Sequence, residues 1–162
     1  MRLTKLFLLL ALSPLLASCG GTASSETSTE DTATDEPQQA EQAAWEDMMT
    51  VHDEVMPKMA ELNRTSRSLK GLAAKVEDKT VQEEINQAVK DIEASSESMM
   101  AWMGELKKLK ALRKDKSHEE IIAYLQEEQA EIDQIGEEMM SSLEDGKALL
   151  ARVIVDQNKK DE

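Results

Sequence analysis

Methionine and histidine side chains recur at helical spacing between Trp45 and Leu62, and a second run of methionines surrounds Trp102. Thioether sulfur and imidazole nitrogen are ligands that suit soft ions such as Cu(I) and Ag(I). One of two interpretations of these runs is therefore a soft-metal site. Its candidate ligands are Met48, His52, Met56, Met59, Met99 and Met103.

The other interpretation is that these methionines fill a hydrophobic core. Methionine adapts to irregular gaps, and the chain has little else of that size, with one Phe and one Tyr. Adjacent methionines such as Met48 and Met49 point about 100° apart on a helix, so only one of a pair can face a common ion. We therefore favour core packing and predict no cofactor, with Cu(I) or Ag(I) as the alternative.

The two histidines of the chain have different settings. His52 falls on a face that we predict to be buried, and we expect it to form a hydrogen bond with Glu105, Gln129 or a backbone carbonyl. His118 follows Ser117, which has the chemistry of a helix N-cap, so we expect His118 to be exposed in the first helical turn.

The elements that position these residues are helices, because the hydrophobic pattern is helical almost without interruption from residue 37 onward. It predicts helices at about 37–76, 81–113 and 118–156, each with a stripe of apolar residues that must be buried. Their short connections require antiparallel neighbours. We predict an all-α fold, an antiparallel three-helix bundle with long coiled-coil-like helices. An open hairpin that buries the same stripes by oligomerising is the alternative.

The predicted helix starts carry capping signals. Asp35 is the expected N-cap of the first helix, and two later starts are Ser/Thr-x-x-Glu capping boxes. These boxes are Thr80 with Glu83 and Ser117 with Glu120.

Pro57 lies inside the first predicted helix. Proline lacks a backbone donor and clashes with the carbonyl four residues earlier, so we predict a kink or short break near 52–56.

Short loops also fix a register between the helices. We expect facing residues of the first two helices to have numbers that sum to about 157, and those of the last two to about 230. Met56 should then be level with Met99, and His52 with Leu125. Met139 should lie about 20 Å along the bundle axis from His52.

The N-terminus reads as an export signal, with Arg2 and Lys5 before a short apolar run. It ends in Leu16-Ala17-Ser18-Cys19, which resembles the lipobox of bacterial lipoproteins and contains the sole cysteine. The resemblance implies cleavage before Cys19 and lipid modification of Cys19. A plain signal peptide with an incidental cysteine is the alternative.

The predicted organisation is a signal peptide at 1–18, a lipidated Cys19 with a flexible linker to residue 34, and a helical bundle at 35–162. The residue after the cysteine is Gly20 rather than Asp, which by the lipoprotein sorting rule implies the outer membrane. Within the linker, Asp31-Thr32-Ala33 resembles an O-glycosylation motif of secreted Bacteroidetes proteins, which would make Thr32 the acceptor. An unmodified linker is the alternative.

Charge and motifs exclude several functions. Removal of residues 1–18 takes away two basic residues and no acids, so 17 basic residues stand against 33 acidic ones, a net charge of −16. That charge repels nucleic acid and anionic lipid. The chain contains no phosphate-binding loop, nucleophile elbow or His-Glu-x-x-His pattern. We therefore predict a non-enzymatic structural or protein-interaction module with a possible envelope partner or self-association.

Two phrases, His52-Asp53-Glu54-Val55-Met56-Pro57-Lys58-Met59 and Met99-Met100-Ala101-Trp102-Met103, resemble a group of uncharacterised Bacteroidetes lipoproteins. The last helix, from Tyr124 to Leu150, shares the resemblance. That group often carries the label "viral A-type inclusion protein". The label implies helical, coiled-coil-like sequence and no particular ligand, and the resemblance implies an outer-membrane lipoprotein of a two-membrane bacterium.

Overall fold

A computed structural model describes residues 32–160, and this part of the chain is all-α. Its elements are α1 (Thr32–Val55), a single 3-10 turn (Met56–Lys58), α2 (Met59–Ala73), α3 (Lys79–Glu105), α4 (Leu109–Asp115) and α5 (His118–Lys160). α3 packs on α2, and α5 packs on α1, α2 and α3. The predicted three-helix bundle is confirmed, with α1 and α2 together forming the first of its long arms.

The core is built from the predicted stripes. The largest fully buried side chains come from all three arms: Met48, Leu62, Leu69, Ile85, Ile92, Met99, Ile121, Leu125, Ile132 and Met139. Burial of a side chain of this size stabilises a fold by roughly 1.5–3 kcal/mol. Because the stripes meet within one chain, the bundle needs no second copy to cover them.

The first arm is interrupted where the proline predicts it. The 3-10 turn Met56–Lys58 separates α1 from α2, and Pro57 is its central residue. The 3-10 turn tolerates the missing N–H of Pro57 because so short a segment forms few backbone hydrogen bonds. The break lies at the C-terminal edge of the predicted interval rather than within it.

One capping box is confirmed and the other is wrong, and Asp35 is not the N-cap of the first helix because α1 begins at Thr32. At α5, the Ser117 N–H donates to Glu120 Oε2 over 2.8 Å, and the Glu120 N–H donates to Ser117 Oγ over 3.3 Å. At α3, the N-cap is Asp78, whose carboxylate accepts from the N–H groups of Thr80 and Val81. Asp78 can serve as the N-cap because the positive end of the helix dipole also stabilises its carboxylate.

The second predicted helix, 81–113, is two helices. α3 ends at Glu105, and α4 begins at Leu109 after a three-residue break. The Lys107 N–H, freed by the break, donates to the hydroxyl oxygen of Tyr124 over 2.9 Å. Leu109 and Leu112 of α4 are buried. A tertiary partner on α5 and these buried leucines therefore outweigh the local preference for a continuous helix.

This break shifts the register of α5, and the predicted register of the last two helices is wrong. The hydroxyl groups of Ser95 and Ser142 lie 3.0 Å apart in the core, whereas the predicted sum places Ser95 level with residue 135. The difference of seven residues is roughly 10 Å along the axis. It arises because the connections on either side of α4 contain extended residues, such as Leu106, Lys108 and Lys116, which rise about 3.3 Å each against about 1.5 Å in a helix.

Gly146 allows the three arms to approach closely at one level. A Cβ atom there would lie 2.7 Å from Ile92 Cδ1 and 3.2 Å from Thr65 Cγ2. Both neighbouring side chains are buried. Only a residue without a side chain fits this contact unless Ile92 and Thr65 move.

Candidate functional site

His52 of α1 meets Trp102 of α3 at the centre of the methionine-rich region. The ring centroids lie 6.0 Å apart, with the ring planes inclined by 34°. Nδ1 of His52 lies 2.8 Å from Oδ1 of its neighbour Asp53. The predicted hydrogen bond of His52 to Glu105, Gln129 or a backbone carbonyl is therefore wrong. Gln129 donates instead to Asp133.

Two buried nitrogen atoms of this pair have no hydrogen-bond partner. They are Nε2 of His52 and Nε1 of Trp102. A carboxylate accepts, so Nδ1 of His52 is the donor to Asp53, and with the ring in its neutral form Nε2 carries a free lone pair. The indole Nε1–H is a donor without an acceptor. An unpaired buried polar group costs about 1–3 kcal/mol, so this pair is a local energetic defect in an otherwise apolar core.

Three methionines from the three arms lie at the next level of the bundle. Met56, the first residue of the 3-10 turn, lies one turn beyond His52, and Met99 lies one turn before Trp102 on α3, which is the same direction because the helices are antiparallel. On α5, Gly136 faces Val51 and Val55 of α1, which puts Met139 level with Met56. The prediction that Met139 lies about 20 Å from His52 is wrong, because it used the shifted register.

The remaining predicted ligands have different surroundings. Met48 is buried one turn before His52, and Met59 is partly buried at the start of α2. Met103 is 39% exposed, and so it lies at the edge of the region rather than inside it. The prediction that Met56 lies level with Met99 agrees with the contact between His52 and Trp102, because each methionine lies about one turn from its member of that pair.

Exposed methionines accompany the buried ones. Between residues 36 and 159, five large hydrophobic side chains are exposed, and three of them are Met100, Met103 and Met140. Met100 and Met140 directly follow the buried Met99 and Met139 in the sequence. Core packing accounts for the buried methionines but not for these three.

Harder metal ions have no comparable group of ligands in the described chain. Nowhere between residues 32 and 160 do three or more His, Cys, Asp or Glu side chains come together as a possible metal site.

A second cluster, which the sequence did not reveal, joins α1, α4 and α5. Glu41 is 4% exposed. Its carboxylate accepts from Arg113 Nε over 2.6 Å and lies 3.1 Å from Nδ1 of His118. Arg113 also donates to the Gln38 carbonyl. His118 is thus half-buried and bonded, and the prediction of an exposed His118 is wrong.

Charges around Glu41 control its ionisation. Burial acts to raise the pKa of Glu41, but the hydrogen bonds and positive charges of Arg113 and His118 together outweigh burial and lower it below its usual value. Glu41 is therefore held as a carboxylate. The hydrophobic pattern does not predict this buried role for Glu41, because a single Glu in a helical segment is expected to be a solvated surface residue.

A groove between α3 and α5 has a volume of about 450 Å³. Its floor is formed by the buried Ser95 and Ser142, and the small side chains of Ala94 and Ser141 also line it. Its walls carry Asp91, Glu137, Glu138 and Asp145 and no basic residue. The groove continues to a neighbouring depression where Arg152 pairs with Glu84. This surface is negatively charged and has a small-residue floor.

Two further predicted sites concern the N-terminal region. Cys19, the signal peptide and the linker up to residue 31 lie outside the described residues, so their predictions are untested. Thr32 is the first residue of α1. No helix in the described range is both long and apolar enough to cross a membrane.

Comparison with known protein families, with curated proteins and with solved structures gives no significant match. The resemblance to Bacteroidetes lipoproteins therefore stays a prediction from the quoted phrases.

Proposed function

We propose that this chain is a lipid-anchored, non-enzymatic module of the cell envelope that binds another protein. The observation that supports it most directly is the combination of a lipobox ending in the sole cysteine, Cys19, with a helical bundle that begins at Thr32. A lipid on Cys19 would hold the bundle at the outer membrane, as Gly20 implies. Two or more acyl chains give firm anchoring, since each buried methylene contributes about 0.8 kcal/mol.

The groove between α3 and α5 supports the interaction role. Its walls are acidic and its floor consists of small side chains that leave room for an incoming segment. Such a surface favours a basic helix or extended segment of a partner protein, because opposite charge speeds encounter and small residues permit close approach. A second copy of this chain, with its net negative charge, is a less favourable occupant.

Lipid attachment is tested by labelling cells with radioactive palmitate and fractionating their membranes. We expect the parent to carry label and to sediment with the outer membrane, and Cys19→Ser to lose both properties. An unlabelled parent, or membrane association that survives Cys19→Ser, would contradict the anchor.

Partner binding is tested by cross-linking in intact envelopes followed by affinity capture. The groove variant Glu137→Lys with Asp145→Lys should lose a cross-linked partner that the parent retains. The control Asp47→Lys with Glu54→Lys makes the same change in net charge on α1 and should keep it. Equal capture by all three proteins would count against the groove, and sedimentation of the purified parent as a dimer would point to self-association instead.

A further inference from the structure

We infer that His52 Nε2 and the thioether sulfurs of Met56, Met99 and Met139 form a binding site for one Cu(I) or Ag(I) ion beside the ring of Trp102. This site is independent of the lipid anchor and of the groove. Its ligands come from all three arms of the bundle.

The first argument is the state of the imidazole. Nδ1 of His52 donates to the Asp53 carboxylate, and the buried Nε2 is left with a free lone pair and no donor. Histidines that bind metals usually donate the other ring N–H to a carboxylate, which fixes the tautomer and makes the metal-facing nitrogen more basic. His52 is already in that arrangement. A metal ion would supply the partner that Nε2 lacks.

The second argument is the indole of Trp102. It is 3% exposed and lies 6.0 Å from the His52 ring, measured between centroids. A cation held near Nε2 would therefore lie close to an aromatic ring, whose π-system attracts positive charge most strongly where water is excluded. The ion also needs no deprotonated thiol or carboxylate, because a monovalent soft cation is satisfied by neutral sulfur and nitrogen.

The third argument is the level of the methionines along the bundle. Met56, Met99 and Met139 share one level, and His52 lies one helical turn away, roughly 5 Å along the axis. A methionine side chain has three rotatable bonds, so it can span that distance without a change in the backbone. The helix also breaks at Met56–Lys58, and Met56 is only partly buried, so this level has an opening to solvent.

The exposed methionines give the site a route of entry. Met100, Met103 and Met140 are each between 39% and 55% exposed and lie at or near the same level of the bundle. Exposed thioethers would bind a soft cation weakly and pass it inward to the buried ligands. This arrangement explains side chains that core packing alone does not require.

The test is a titration of the full chain, purified in detergent, with Ag(I) in chloride-free buffer. Every version carries Cys19→Ser, which removes the only thiol, and Trp45→Phe, which leaves Trp102 as the sole tryptophan. We expect saturable quenching of Trp102 fluorescence at one equivalent of Ag(I). The same proteins, titrated anaerobically with Cu(I) against a coloured chelator, should compete for one equivalent.

The variants identify the ligands. His52→Leu should weaken binding at least tenfold, as should Met56→Leu, Met99→Leu and Met139→Leu. These volume-conserving changes should leave the circular dichroism unchanged. Two controls should stay within twofold of the parent: Met49→Leu, a partly buried methionine outside the ligand set and the entry route, and His118→Asn, the other histidine. Absence of saturable binding in the parent would overturn the inference, and so would equal binding by His52→Leu. Loss of binding in Met48→Leu, with no loss in the variants at positions 56, 99 and 139, would overturn the proposed ligand set.

Discussion

Arg113 donates from Nε to the carboxylate of Glu41 over 2.6 Å, joining α1 to α4 across 72 residues of sequence. Between residues 36 and 159, Glu41 is the one charged side chain that is buried. The pair fastens α4 to α1 where α3 has already ended. The pair therefore stabilises the packing of α4 on α1.

Removal of Arg113 should be more damaging than removal of the carboxylate charge. Arg113→Met leaves the buried Glu41 ionised without its main partner, and we expect it to lower the free energy of unfolding by about 1.5–3 kcal/mol. Glu41→Gln keeps the shape and should cost less. Urea denaturation followed by circular dichroism measures both, and equal stability of Arg113→Met and the parent would show that the pair is dispensable.

Acid should weaken the same contact. The pKa of Glu41 is lowered in the folded chain from its ordinary 4.5. A group with a lowered folded pKa contributes stability that is present above its unfolded pKa and is lost as pH falls through the folded pKa. The parent should therefore lose stability relative to Glu41→Gln as the pH is lowered below 4.5. Parallel pH profiles for the two proteins would contradict this.

Tyr124 offers a spectroscopic probe, because it is the only tyrosine in the chain. Burial raises its pKa to about 12. Absorbance at the phenolate band should therefore titrate near 12 in the folded protein and near the ordinary value of 10.0 in urea. Because the folded pKa is the higher one, this contribution to stability should be intact below 10.0 and fade as the pH approaches 12. A single midpoint in both states would refute the burial of this hydroxyl.

Two glycines should respond to alanine in opposite directions. Gly71 in α2 has open space around it, so Gly71→Ala should stabilise the bundle by about 1 kcal/mol through helix propensity. At Gly146 the new methyl would lie 2.7 Å from Ile92 Cδ1. Gly146→Ala should therefore lower stability by about 1 kcal/mol after its propensity gain is included. Thermal unfolding compares the two.

A second substitution checks the cause at Gly146. Ile92→Val removes the atom that the new methyl would touch. The double variant Gly146→Ala with Ile92→Val should therefore be more stable than the sum of the single effects. Strict additivity would mean that the contact is not the source of the loss.

The unpaired nitrogen of His52 predicts a trade between stability and binding. In metal-free buffer with a chelator, His52→Leu should be about 1 kcal/mol more stable than the parent, since it removes a buried acceptor without a donor. Urea denaturation gives the difference. Lower stability of His52→Leu without metal would indicate that Nε2 already has a partner.

The sequence predicts the repetitive part of this fold well. Apolar residues at steps of three and four identify the core, as at Leu62 and Ile92, and Pro57 marks the break in the first arm. These features depend on local pattern alone. The Ser117 and Glu120 box is equally local.

The errors come from contacts between distant residues. None of the residues 106–108 is proline or glycine, so no helix breaker marks the end of α3. That end depends instead on the hydrogen bond from Lys107 to Tyr124 and on the burial of α4. That single break moved α5 by about two turns and with it Met139. The methionines are visible in the sequence, but a register that ignores the break places Met139 at the wrong level.

The unbroken course of α5 has a mechanical consequence. The first arm is interrupted at Met56–Lys58 and the second after Glu105, and both interruptions lie beside the middle of α5, near residues 129–141. α5 runs through this section without a break, so it provides the continuous helical backbone at this level. The resistance of the bundle to bending here therefore depends on those dozen or so residues of α5.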